Sequence, residues 1–234
     1  MSLPILHVPE FETVIPSTNQ KINFRPFLVK EEKILFMALQ GNDPSEMSTA
    51  VQRVLQSCIT TPDVDVNSFA TFDLEYLFLR LRAKSVGEVI ELKLKHSKGD
   101  CPYVHQASIN IEDIEVTVPD DLDCRIQITD RVGLVLNYPS VELATLVPDT
   151  NNMDDMIDFI AGCVDVVYDE MNVYEDFSKD EIKTFLESLN STQFKGIRDF
   201  FKRVPKLTHD LEWTCPKCGE TERVHLEGLA SFFI

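Results

Sequence analysis

One short stretch near the C-terminus constrains this chain more than any other: Trp213-Thr-Cys215-Pro-Lys-Cys218-Gly219. Two thiols two residues apart, with a Pro inside the turn and a Gly after it, form a knuckle that aims both sulfurs at one point. Backbone N–H groups of such a turn can hydrogen-bond the thiolates. A knuckle supplies only two of the four ligands that a structural Zn²⁺ takes. Two more soft donors must come from elsewhere, and the fold has to bring them there.

The other cluster of soft donors is His96-Ser-Lys-Gly-Asp-Cys101-Pro-Tyr-Val-His105. Val89-Ile-Glu-Leu-Lys-Leu-Lys95 alternates apolar and polar residues on the way in, and residues 103–111 do so on the way out. Around the knuckle, residues 209–213 and 223–226 repeat the pattern, so each half reads as strand, ligand turn, strand. Two hairpins sharing one ion make a zinc ribbon. The expected ligands are His96, Cys101, Cys215 and Cys218, with His105 in reserve for His96. The competing reading of the first half is a surface loop with a free Cys101 and ordinary polar histidines. For the knuckle the competitor is a redox dithiol, but that motif opens a helix. Here Gly219 and the polar Glu220-Thr-Glu-Arg223 suit a hairpin turn.

At 234 residues the chain is long enough for one domain or two small ones. Its formal charge of −17 argues against a nucleic-acid surface and against anionic membranes. No basic-then-apolar leader opens the sequence, and no apolar run is long enough to span a bilayer. Cys58 and Cys163 fall within apolar helical patterns and Cys124 at a strand start, so the six cysteines do not read as a disulfide set. The expectation is a soluble protein of a reducing compartment.

The fold class expected is α+β: a helical N-terminal region, split zinc-ribbon-like β-hairpins with a small antiparallel sheet, and an acidic helical insertion. Residues 1–28 read as an extended N-terminal arm, broken by Pro4, Pro9, Pro16 and Pro26. Within it, residues 10–15 and 21–24 alternate like strands, which either pair as a hairpin or leave the arm to join a partner's sheet. Residues 29–85 read as helical. The first helix has Ile34, Leu35, Ala38 and Leu39 on one face. The second is opened by Asp43-Pro44 with Glu46 in a capping-box position. The third is striped by Leu74, Leu77, Phe78 and Leu81. Residues 86–137 read as the first zinc hairpin and a small sheet, with strands at 111–118, 124–128 and 131–137. Residues 138–208 read as the helical insertion, with an acidic helix over 153–172 and helices capped at Ser178 and Asn190. Residues 209–234 hold the knuckle hairpin and an apolar tail.

No catalytic arrangement emerges. The sequence has no Gly-rich phosphate loop, no His-Glu-x-x-His and no Gly-x-Ser-x-Gly. The paired carboxylates at Asp154, Asp155 and Asp158 read as a solvated helix face in an acidic chain. A zinc site rich in thiolates reads as structural. The expectation is that the chain is not an enzyme.

Three stretches resemble one family. Residues 22–39, Ile22-Asn-Phe-Arg-Pro-Phe-Leu-Val-Lys-Glu-Glu-Lys-Ile-Leu-Phe-Met-Ala-Leu39, resemble the N-terminal signature of T4-like bacteriophage baseplate hub proteins. Phe72-Asp-Leu-Glu-Tyr-Leu-Phe-Leu-Arg-Leu-Arg-Ala-Lys-Ser-Val-Gly87 is similar to that family's second signature, and Cys215-Pro-Lys-Cys-Gly219 with Leu226-Glu-Gly-Leu-Ala-Ser-Phe-Phe233 to its tail. The likeness runs from about residue 9 to the end, and His96 with its five-residue step to Cys101 departs from a plain thiol pair. The family includes a hub subunit and a hub assembly catalyst. The resemblance implies a protein made in the infected host cytoplasm that acts in building the baseplate hub and has no enzyme active site. Its partners would be other baseplate hub or tape-measure proteins, with no nucleic acid and no membrane; self-association is left open. Two roles follow, a subunit retained in the virion tail or an assembly chaperone that leaves before maturation.

Overall fold

A computed structural model describes residues 6–41, 43–96, 101–116, 118–119, 122–145 and 152–232. The chain divides into two compact units. The first holds Met1–Val66, Phe72–Thr117 and Lys206–Ile234; the second holds Asn67–Thr71 and Val118–Pro205. The class is α+β, with small antiparallel sheets in both.

The first unit opens with strands β1 (Phe11–Val14) and β2 (Lys21–Phe24), paired with Phe11 opposite Phe24. Of the two alternatives that the alternating residues 10–15 and 21–24 leave open, the hairpin is the one that forms. Ile15, Ile22 and Phe24 turn inward and are at most 2% exposed. Burying each contributes about 1.5–3 kcal/mol, which a free arm would forgo. The backbone is tied down as well. Arg25 N–H donates to Cys58 O, and Thr60 N–H donates to Asn23 O, both at 2.9 Å. Ser17 donates its N–H and its hydroxyl to the buried Asp73 carboxylate.

Helices α1 (Val29–Gly41), α2 (Pro44–Cys58) and α3 (Thr71–Ser85) follow. Of the four apolar residues expected to face inward on α1, Leu35 and Ala38 do so, while Ile34 and Leu39 are exposed. The difference lies at Glu31, which is buried and holds Arg25 Nη2 at 2.9 Å and the Leu28 N–H at 2.8 Å. Its ion pair rotates the helix about its axis relative to the purely apolar reading. Asp43 caps α2 by accepting the Ser45 N–H. The stripe on α3 is buried as expected, and Phe72, Leu79 and Ala83 widen it almost to the whole circumference.

Strands β3 (Val89–Lys95) and β4 (Val104–Asn110) form the next hairpin, with Lys95 opposite Val104. Asn110 then caps a 3₁₀ turn over Ile111–Asp113, so the strand expected at 111–118 is reduced to β5 (Glu115–Val116). An Asn side chain that accepts the Glu112 N–H offers the backbone a turn in place of a ladder.

The second unit carries β6 (Arg125–Gln127), β7 (Gly133–Leu136), α4 (Val141–Thr145), α5 (Met153–Cys163), β8 (Val164–Tyr168), β9 (Val173–Tyr174), α6 (Lys179–Glu187) and α7 (Ser191–Lys202). Its sheet runs β6-β7-β8-β9, all antiparallel. Two expectations are corrected here. The acidic helix at 153–172 stops at Cys163, because Val164-Asp-Val-Val-Tyr168 is rich in β-branched residues and finds the edge of β7 to pair with. The insertion is therefore not purely helical, and the strands expected at 124–128 and 131–137 form one sheet with it, β6 on β7 and β7 on β8. Its core gathers Leu134, Leu136, Ile160, Ile182, Ile197 and Phe200, each at most 3% exposed. Reciprocal capping boxes start α6 at Ser178 with Glu181 and α7 at Asn190 with Gln193, as the sequence predicts.

The chain then returns to the first unit as β10 (Leu207–Thr214) and β11 (Thr221–Glu227), and β5 pairs on the outer edge of β10. The inner faces of the two hairpins share a core through Ile90, Leu92, Ile109, Leu207 and Leu226, closed by Leu79 of α3. Phe232, in a final 3₁₀ turn, is buried in the same core. Of the apolar tail, Phe232 thus docks on the chain's own hairpins, and Phe233 and Ile234 lie outside the described residues. Among the described residues no helix is long and apolar enough to cross a membrane.

Candidate metal centre

Each hairpin delivers its donors just past a strand end. His96 follows β3 and Cys101 precedes β4; Cys215 and Cys218 lie in the turn between β10 and β11. The knuckle turn is closed by the Cys215 N–H to Glu220 O at 2.8 Å and the Gly219 N–H to Cys215 O at 2.9 Å. Gly219 has φ +76°, a conformation in which a Cβ would be strained. Below the turn, the Thr214 and Thr221 hydroxyls meet at 3.0 Å and pin the neck.

The donor atoms of His96, Cys101, Cys215 and Cys218 all lie within 4.8 Å of one another. Cys101 Sγ and Cys215 Sγ are 3.9 Å apart, and Cys218 Sγ is 3.7 Å from His96 Nε2. A tetrahedral Zn²⁺ with bonds of about 2.3 Å to sulfur and about 2.0 Å to nitrogen sets two sulfurs about 3.8 Å apart and a sulfur and a nitrogen about 3.5 Å apart. The cluster therefore has the composition and the span that such an ion needs.

The electrostatics point the same way. Burial disfavours the Cys215 thiolate, but the Cys218 N–H, the His96 ring and the Lys217 N–H outweigh it and bring this thiol down to about 6. At Cys218 the Glu220 N–H favours ionisation. Burial and the Cys215 and Cys101 sulfurs oppose it, and together they hold the thiol above its ordinary value. Contact with Cys215, reinforced by Glu222 against burial, raises His96. The protein thus readies one thiolate at this spot. A second and third negative charge there call for a cation.

Glu222 belongs to the candidate site although the sequence marks it only as part of a polar turn. Its Oε1 lies 3.1 Å from His96 Nδ1, and the His96 side chain is 1% exposed. With the proton on Nδ1 directed to this carboxylate, the Nε2 lone pair faces the cluster. The available signal was phase: on β11, residues 222, 224 and 226 share the inward face, so Glu222 is an inward carboxylate on an amphipathic strand. Trp213 was also read only as a strand residue. It packs 4.9 Å from His96, and His105 stacks on it at 4.7 Å and 1°. His105, the reserve donor, is thus engaged as an aromatic partner, and His96 is the histidine in the cluster.

The remaining thiols are different in kind. Burial pushes Cys58 up to about 11 and Cys163 up to about 12, which leaves both as protonated packing groups. Asn152 caps α5 by accepting the Asp154 N–H, which leaves the Asp154 side chain exposed, and Asp158 pairs with Lys179 and Lys183, the solvated-face arrangement expected of them.

No curated protein and no solved structure matches the chain. A family model described as T4 bacteriophage base plate protein matches residues 8–234. The match takes in both hairpins, the cluster and the whole of the second unit, so it does not rest on the knuckle alone. A role in the phage tail baseplate, among its other proteins, accompanies that match. The chain belongs to the T4 bacteriophage base plate protein family.

Proposed function

We propose that this chain is a non-enzymatic protein of baseplate hub assembly, with a structural Zn²⁺ held by His96, Cys101, Cys215 and Cys218. The four-donor cluster carries the metal reading, because its members come from two hairpins more than a hundred residues apart in sequence. Three sulfurs and one imidazole fill a tetrahedral shell and leave no position for a reacting water. When bound, the ion would supply a cross-link, on the order of 10 kcal/mol toward folding. Elemental analysis of protein never exposed to chelator should give one zinc per chain. Protein without zinc or another thiophilic metal would end this reading.

The hub assignment rests on family membership together with the likeness of residues 22–39 and 72–87 to hub-protein signatures. Other hub or tape-measure proteins are the proposed partners, met in the host cytoplasm during assembly. The net charge of −17 supports a second reading, an assembly chaperone absent from the mature virion, since self-repulsion keeps a free factor soluble. Quantitative mass spectrometry of purified particles beside infected-cell lysate separates the two. A fixed small copy number per particle identifies a subunit. Abundance in the lysate with absence from particles identifies a chaperone.

A further inference from the structure

The second unit carries an open groove of about 390 Å³ between the β8–β9 hairpin and α6. Val132, Val167, Phe177, Ile182 and Phe185 give it an apolar floor, and two tyrosines and three carboxylates complete the lining. Tyr174 is 46% exposed and donates its hydroxyl to Asp169 Oδ2 at 2.9 Å. Tyr168 lies so close over the β7 backbone that a Cβ at Gly133 would overlap its ring. Asp169, Asp176 and Glu181 bring negative charge, and no Lys or Arg is among the lining residues. The nearby cations are engaged elsewhere: Arg131 faces Glu170 at 3.4 Å, and Lys179 and Lys183 face Asp158.

We propose that this groove is a docking site for a Lys or Arg side chain presented by a basic segment of a partner protein. Aromatic rings beside carboxylates suit a cation with an aliphatic stem. The stem packs on the rings while the charged head meets the acids and the π faces. Charge complementarity extends beyond the groove, because residues 67–71 and 118–205 hold 18 Asp and Glu against 8 Lys and Arg. Two of these carboxylates are favoured in charged form by backbone donors. The Met171 and Asn172 N–H groups keep Asp169 below its usual range, and the Ser178 N–H does the same for Glu181. This goes beyond the hub reading and does not depend on the metal site.

The test is an NMR titration of the full chain with the blocked tripeptides Gly-Arg-Gly and Gly-Lys-Gly, with Gly-Gln-Gly as the uncharged control. Shifts should centre on Val132, Val167, Tyr168, Tyr174 and Ile182 for the two cationic peptides only. Asp176→Asn and Tyr174→Leu, both at the exposed rim, should each weaken binding about threefold. Asp154→Asn removes the same charge from the start of α5 and should leave affinity unchanged. Equal loss from Asp154→Asn and Asp176→Asn would reduce the effect to diffuse attraction and overturn the proposal. So would shifts spread over the acidic surface, or a stronger response of the same residues to free spermidine, which would make the groove a site for small polyamines.

Discussion

The first unit gathers three stretches of chain, Met1–Val66, Phe72–Thr117 and Lys206–Ile234, whereas the second is almost one continuous run, Val118–Pro205. In the first, the two central hairpins are separated in sequence by the whole second unit, and a cluster of soft donors joins their tips. In the second, sheet neighbours follow one another in the chain, and its last two helices start at capping boxes. Bringing distant segments together costs more loop entropy than pairing near ones. A unit assembled from distant parts gains most from a cross-link. A unit assembled locally can rely on turns, caps and its own core.

Metal removal is the largest perturbation that this contrast predicts. Chelation, or Cys218→Ala, should remove stabilisation on the order of 10 kcal/mol from the first unit. The single Trp, Trp213, lies against His96 and reports directly on the site by its emission. Amides of β3, β4, β10 and β11 should lose exchange protection while those of β7, α5 and α7 keep theirs. Uniform loss across both units would break the comparison.

The converse perturbation is Leu134→Ala. Leu134 is 0% exposed at the centre of the second unit's sheet, and truncating it should cost about 2–5 kcal/mol. Exchange protection should fall over β6–β9 and α5–α7, and the Trp213 emission should not move. A shift in that emission would mean that the locally built unit props up the other.

These contrasts also explain what could be read from the sequence. Cys215-Pro-Lys-Cys218-Gly219 and its flanking alternation specify a knuckle hairpin with no outside information, and Ser178-x-x-Glu181 specifies a helix start. Both are local codes. The boundary at Cys163–Val164 is not, because Val164 and Val167 satisfy a helical stripe as well as a strand, and Gly162 lies inside the last helical turn rather than just past its end. Pairing with β7 decides it, about thirty residues upstream. Similarly, the four donors could be named from spacing, but the choice of His96 over His105 depends on register. With Lys95 opposite Val104, His96 is carried past the strand end while His105 stays within β4, facing Trp213. The N-terminal hairpin was legible as two strands. That they pack on their own unit depends on Asp73, far along the chain.

A smaller effect tests how far the second unit depends on its caps. Ser178→Ala removes the hydroxyl that accepts the Glu181 N–H and should cost about 1 kcal/mol. Denaturant unfolding followed through exchange of α6 amides is the measurement. No change there would shift the weight from caps to core.

The smallest effect concerns one buried carboxyl of the first unit, Glu75, whose response to pH is opposite in sign to that of Asp158 and Asp169 in the second. In the second unit, Lys183 beside Asp158 and the Met171 N–H beside Asp169 hold those carboxylates below their ordinary value. Their contribution is present above the unfolded value near 3.8 and is lost as pH falls through the lower folded values. In the first unit, burial raises Glu75 on α3 above 4.5, although the Leu229 N–H donates to it at 3.1 Å. A carboxyl raised in the fold binds its proton more tightly there than in the unfolded chain. It therefore favours folding at low pH, and that advantage is lost as pH rises from the unfolded value through the folded one. Glu75→Gln keeps an Oε1 acceptor for Leu229 and removes the charge. The variant should unfold at a higher temperature than the parent at pH 7 and at the same temperature below pH 4. A lower midpoint at pH 7 would mean that the ionised carboxylate holds the C-terminal turn more strongly than its burial opposes it, and that Glu75 acts with the same sign as Asp158 and Asp169.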